Sequence, residues 1–129
     1  MAKKIVVIDD EKDFSFFVKH NLSAQGGYAV ICVNDPLKAV ETVRRENPDV
    51  IILDIIMPKK SGLQVLEAIK NDPKTVSIPV ILLTALSDEE ARLKAVQLYC
   101  EDYLTKPVSL ETLKNKIENV LSRKTAQGR

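Results

Sequence analysis

The stretch from Pro48 to Gly62, PDVIILDIIMPKKSG, decides how the chain folds. Its run Val50-Ile51-Ile52-Leu53 is aliphatic at every position, so neither face of the segment can look onto water. An extended run of that kind belongs inside a parallel sheet that is covered on both sides. The run stops on one carboxylate, Asp54, and the Met57-Pro58 pair breaks the chain soon after it. A lone aspartate at a strand end ordinarily marks where solvent begins. Its meaning therefore rests on what stands near it in space.

The same unit recurs on either side. Lys4 to Ile8 is a short apolar run, followed by Phe14, Phe17, Val18 and Leu22 at helical spacing up to Gly26-Gly27, a helix stop. Tyr28 to Val33 is β-rich. Asp35-Pro36 then sets an N-cap before a proline suited to a first helical turn, with Leu37, Val40 and Val43 as the apolar stripe. After Val50 to Leu53, the residues Leu63, Leu66 and Ile69 mark a third helix, broken by Asn71-Asp72-Pro73. Ile78 to Leu83 is a fourth strand, and Ser87 with Glu90 forms a capping box for a helix to about Leu98. Asp102 to Thr105 is a short fifth strand, and Ser109 caps a last helix carrying Leu110, Leu113, Ile117, Val120 and Leu121. Five β-α repeats with strands apolar on both faces predict an α/β fold: a single doubly wound five-stranded parallel sheet with five helices.

Length and composition narrow the function. At 129 residues the chain suits one domain, expected over residues 1–123 with a polar tail at 124–129. A content of 45% apolar and 29% charged residues with net charge +1 gives no electrostatic reason to expect nucleic acid as a partner. No run approaches the ~20 apolar residues that span a bilayer, so no membrane contact is expected and the protein is read as cytoplasmic. Cys32 and Cys100 form no C-x-x-C pair and read as small buried hydrophobes.

In a parallel sheet all strands point one way, so their carboxyl ends share one rim. Those ends are Asp9-Asp10, Asn34-Asp35, Asp54, Thr84 and Thr105-Lys106-Pro107. Singly, each has a plainer role: Asp10 can cap a helix, Thr84 can end a strand, and Lys106 can be a solvated loop lysine. Together, crowded carboxylates repel unless a cation intervenes, and an all-oxygen site suits Mg²⁺ better than zinc, for which the lone His20 offers no partner. With Lys106 and the Thr84 hydroxyl beside such a cation, the rim has the parts to hold a phosphoryl group and a carboxylate to serve as nucleophile.

Four motifs carry a family resemblance: VVIDD (Val6–Asp10), ILDIIMPKKSG (Ile52–Gly62), ILLTA (Ile81–Ala85) and DYLTKP (Asp102–Pro107). In that order they span residues 3 to about 122 and resemble the receiver domain of bacterial two-component response regulators. The resemblance implies a flavodoxin-like sheet of strand order 2-1-3-4-5. It makes Asp54 the phosphoacceptor, with Asp10, Asp54 and the carbonyl of Ile56 as direct Mg²⁺ ligands and Asp9 as a water-mediated one. Lys106 contacts the phosphoryl group, Thr84 and Tyr103 form the switch, the Lys106–Pro107 peptide is cis, and Pro58 shapes the loop after the nucleophile. The implied phosphoryl donor is a sensor histidine kinase or phosphotransfer protein. The implied output is a partner, or a phosphorylation-dependent dimer, on the face of the fourth helix, fifth strand and fifth helix. Such a protein is a switch and not an enzyme, catalysing only its own phosphorylation and slow dephosphorylation.

Ile56 and Leu86 are aliphatic where relatives are often polar, which bears on the rate of dephosphorylation. Tyr99-Cys100 replaces a frequent Gly-Ala. Two other classes fit less well. An aspartate-nucleophile phosphatase of the haloacid dehalogenase type needs a D-x-D pair, which Asp9 or Asp10 followed by Glu11 or Lys12 does not supply. A flavodoxin-like cofactor module needs a phosphate cradle, and the loop Asp9-Asp10-Glu11-Lys12 is acidic and free of glycine. A receiver that works without phosphorylation, as an interaction module, is left open.

Overall fold

Val50–Asp54 becomes the central strand of the sheet, and all five of its residues are buried. A computed structural model describes residues 2–84, 97 and 100–127. Its elements are β1 (Lys4–Ile8), α1 (Lys12–Asn21), β2 (Ala29–Val33), α2 (Ala39–Glu46), β3 (Val50–Asp54), α3 (Gly62–Lys70), β4 (Val80–Thr84), β5 (Asp102–Thr105) and α4 (Leu110–Gln127). The helix expected from Ser87 to Leu98 lies outside the described residues. No helix among the described residues is long and apolar enough to cross a membrane.

The sheet runs β2-β1-β3-β4-β5 with every pair parallel, the order that the family resemblance implies. Alternation along the strands divides the core in two. Val6, Ile8, Ile51, Leu53 and Leu82 pack with Val43 of α2 and Val65, Leu66 and Ile69 of α3. Ile5, Val7, Val50, Ile52, Ile81 and Leu83 pack on the opposite face with Val18 of α1 and with Leu113, Ile117 and Val120 of α4. Each such side chain contributes about 1.5–3 kcal/mol when fully buried. The unbroken aliphatic run that opened the sequence is thus shared between two cores, one per face.

Local chemistry adjusts several boundaries. α1 stops at Asn21, and a wider turn over Leu22–Gly26 leads to Gly27, whose φ of 69° lies in the left-handed region. Asp35 accepts from Leu37 N at 3.0 Å as expected of a cap, but the turn it opens, Pro36–Lys38, is tightly wound before α2 begins. Ser61 and Gln64 form a reciprocal capping box at the start of α3, a signal masked in the sequence by the preceding Lys59-Lys60. Ser109 caps α4 by accepting from Thr112 N at 3.1 Å. That helix runs to Gln127, through residues 124–127 of the expected tail, because no glycine or proline intervenes before Gly128.

The Met57-Pro58 break has a physical reason. The loop after β3 folds back so that Gly62 N donates to Ile55 O at 2.7 Å, with Lys59 at φ 70° to make the reversal. The start of α3 thereby rests on the backbone of the phosphoacceptor candidate: a Cβ on Gly62 would fall on the Asp54 carbonyl oxygen and within 2.6 Å of Ile55 Cα. Gly62→Ala should therefore destabilise the protein by about 1–3 kcal/mol, measured by urea unfolding. Helix propensity alone would give a gain of up to about 1 kcal/mol, so a stabilised variant would refute the close approach.

Candidate functional site at the carboxyl rim of the sheet

Asp9 follows β1 and Asp54 ends β3, and these strands are neighbours with Ile8 opposite Leu53. Adjacent strand ends thus bring two aspartates, 45 residues apart in sequence, to one place. Both are buried, Asp9 with 1% and Asp54 with 4% of its surface exposed. A strand-end network holds Asp9: its N–H donates to Val33 O at 3.0 Å, and its carbonyl accepts from the Asn34 side chain at 2.8 Å. The same Asn34 amide donates to the buried Ser15 hydroxyl at 2.9 Å, tying β2 and α1 to the site. Asp9 Oδ1 in turn accepts from Glu11 N at 2.9 Å, an Asx-type turn that leads into α1.

Lys106, just past β5, places its ammonium among the acids. Nζ donates to Asp9 Oδ2 at 2.8 Å and Glu11 Oε1 at 3.0 Å, lies 3.6 Å from Asp54 Oδ2, and stands 4.4 Å from the centre of the Phe14 ring. Oxygens of Asp9, Glu11 and Asp54 lie within 4.8 Å of one another, a donor set able to hold a metal ion. Burial first, then the Asp9 anion, pushes the Asp54 carboxyl up to about 6, while Lys106 and the Ile56 N–H, 3.3 Å from Oδ1, pull it down. Asp10 raises it too, as the smallest influence. Burial alone would lower the Lys106 ammonium, but its hydrogen bonds to Asp9 and Glu11, with the charges of Asp9 and Asp54, outweigh that and hold it above the ordinary lysine value.

The other residues read from the sequence are spread around this centre. Asp10 is half-buried at the rim and is not one of the three acids that cluster within 4.8 Å. Ile56 is 49% exposed, with its N–H on Asp54. Thr84 ends β4 opposite Thr105, its side chain outside the description, and Leu86 lies outside the described residues altogether. Tyr103 is half-buried on β5 and packs against the core shared with α2 and α3. The Lys106–Pro107 peptide is cis. The sequence places Phe14 in a helical stripe and Glu11 in an acidic loop, but neither they nor Ser15 stand out there as site residues. The available signal for Glu11 was the position two residues after Asp9, where an Asx turn draws the backbone N–H onto the aspartate and so holds that residue at the rim.

With this geometry in view, the family is plain: the chain belongs to the response regulator receiver domains, whose family model matches residues 5–118. Among solved structures it is similar to the signal receiver domain of a signal transduction histidine kinase from Syntrophus aciditrophicus, at 31% identity and a TM-score of 0.84, covering 94% of this chain and 91% of that one. It is also similar to the Vibrio cholerae chemotaxis protein CheY4, at 26% identity and a TM-score of 0.87, covering 93% and 99%. A response regulator receiver domain protein from Methanospirillum hungatei JF-1 shares the fold with a TM-score of 0.90 at 23% identity, covering 98% and 99%. The acidic cluster of the buried Asp9 and Asp54 with the exposed Glu11 is in keeping with a phosphoacceptor site in such a domain.

The raised Asp54 carboxyl sets a pH dependence. The folded protein holds the Asp54 proton more tightly than the unfolded chain, so folding stability falls as pH rises from about 4 and the full loss is reached above about 6. Asp54→Asn should consequently stabilise the protein in chelator at pH 7.5 by on the order of 1–2 kcal/mol and change little at pH 4. Urea titrations at the two pH values check this, and a gain larger at pH 4 would contradict it.

Proposed function

We propose that the chain is a phosphorylation-operated signalling switch in the cytoplasm, taking a phosphoryl group on Asp54 from a sensor histidine kinase or phosphotransfer protein. The observation that carries this reading is the buried Asp54 carboxylate, ending the central strand with Lys106 Nζ 3.6 Å from Oδ2. Above a pH of about 6 the carboxyl is ionised and can act as nucleophile. An Asp54 oxygen forms the new bond to phosphorus as the bond to the donor's nitrogen breaks. Lys106 is poised to offset the charge of the arriving group.

Hard oxygen donors crowded at the rim fit Mg²⁺, which Asp9, Asp10, Asp54 and the Ile56 carbonyl would hold. Once bound, that ion supplies charge neutralisation to the phosphoryl oxygens. Thr84 and Tyr103 are the residues through which the phosphorylated state reaches β5, α4 and the segment around 87–98, where an output protein or a second copy would bind. Tyr103 is half-buried and packs against the core shared with α2 and α3, so a change in its packing would be felt there.

Acetyl phosphate or phosphoramidate with Mg²⁺ should add one phosphoryl group to the protein, and Asp54→Ala should abolish the addition, as read by intact mass. Labelling that survives in Asp54→Ala would sink the assignment, and sustained turnover of a phosphate ester would point to a phosphatase instead. Ile56, exposed beside the carboxylate, and Leu86 govern the lifetime of the phosphorylated state, because aliphatic side chains neither orient water nor leave its path open. Replacing both (Ile56→Asn with Leu86→Glu) should speed phosphate release about tenfold or more after the donor is removed, since a misplaced attacking group can cost roughly 10²-fold. A double variant that releases phosphate at the wild-type rate would remove these positions from the timer.

A further inference from the structure

Lys106 faces two demands that it cannot meet at once. Its ammonium is hydrogen-bonded to Asp9 at 2.8 Å and Glu11 at 3.0 Å, whereas 3.6 Å to Asp54 exceeds hydrogen-bond length. The Phe14 ring, 4.4 Å from Nζ, adds a cation–π contact on the α1 side. All these partners except Asp54 belong to the turn after β1 and the first turns of α1. Glu11 is fixed there by its backbone, with N–H on Asp9 Oδ1 at 2.9 Å and carbonyl accepting from Ser15 N at 3.1 Å. Its side chain, by contrast, is 64% exposed and can swing into solvent.

We propose that Glu11 is a positioning residue that restrains Lys106 on the Asp9 side of the site, so that a phosphoryl group on Asp54 must draw the ammonium away from it. Asp9 cannot be the releasable partner, because it is buried and its own turn depends on staying in place. Glu11 can let go, since water takes over its carboxylate. An ion pair exposed on one side shifts an equilibrium by only about two- to five-fold, enough to tune the switch without locking it. The inference rests on the phosphoacceptor reading and adds an opposing contact to it.

The test is beryllofluoride binding, as a phosphoryl mimic, to the full chain at saturating Mg²⁺. Glu11→Gln should bind it about two- to five-fold more tightly than wild type. In a Lys106→Ala background the same substitution should have no effect, because the restraint acts only through the ammonium. Without beryllofluoride, the ¹⁵N-labelled Lys106 ammonium signal should shift or broaden in Glu11→Gln, a readout that does not depend on the Lys106→Ala variant folding. Unchanged affinity with an unchanged ammonium signal overturns the proposal. Tightening that persists without Lys106 also overturns it, since it would come from repulsion between Glu11 and the anion. Weaker binding overturns it as well, because Glu11 would then serve the cation. A wild type that takes up no beryllofluoride at all would instead bring down the phosphoacceptor reading, an outcome the other three leave standing.

Discussion

The site is organised around one ammonium shared by acids that the fold has removed from water. Two carboxylates are buried at adjacent strand ends, and unpaired buried charges of one sign are costly. Lys106 reaches them from the far side of the sheet, with β4 lying between β3 and β5. The contact is thus a strut from the loop after β5 to the loop after β1. It also leaves Asp54 less tightly held than Asp9: among the described residues its one donor within hydrogen-bond length is the Ile56 N–H at 3.3 Å, whereas Asp9 accepts from both Glu11 N and Lys106 Nζ. A nucleophile is most useful where it is buried, poorly solvated and close to, but not captured by, a cation.

That arrangement depends on scaffolding far from the chemistry. The Asn34 amide joins β2 to the Asp9 carbonyl and the Ser15 hydroxyl, so the acidic turn is braced from two elements. Gly62 permits α3 to start directly on the Asp54 backbone, which fixes the height of the carboxylate above the sheet. The two half-cores, one with α2 and α3 and the other with α1 and α4, clamp the central strand from both faces. Rigid support beneath and an exposed, releasable Glu11 above give the rim one firm side and one yielding side.

Much of the fold was legible because it follows from local pattern. Aliphatic runs of four to five residues, helical stripes and the caps at Asp35 and Ser109 report on their own neighbourhoods, and among the described residues the elements formed where those signals stand. Boundaries moved where two local signals compete, as at Pro36, which opens a tight turn before α2. The Ser61 cap escaped notice because its partner Gln64 sits within an apolar stripe and because the lysines before it read as solvated loop.

What the sequence by itself determined was the set of strand-end residues, since a parallel sheet carries every carboxyl end to one rim whatever the detailed packing. Asp9, Asp10, Asp54, Thr84 and Lys106 follow from that rule, and the motifs around them from family resemblance. Only the tertiary structure decided who touches whom: that Lys106 engages Asp9 and Glu11 more closely than Asp54, that Asp10 stands outside the tight cluster, and that Phe14 lies against the ammonium. The reason is that side-chain reach across a rim depends on strand register, on the turn set by Asp9 and on how far α1 tilts over the site. Each of these is a sum of many contacts remote in sequence, and no local pattern records it.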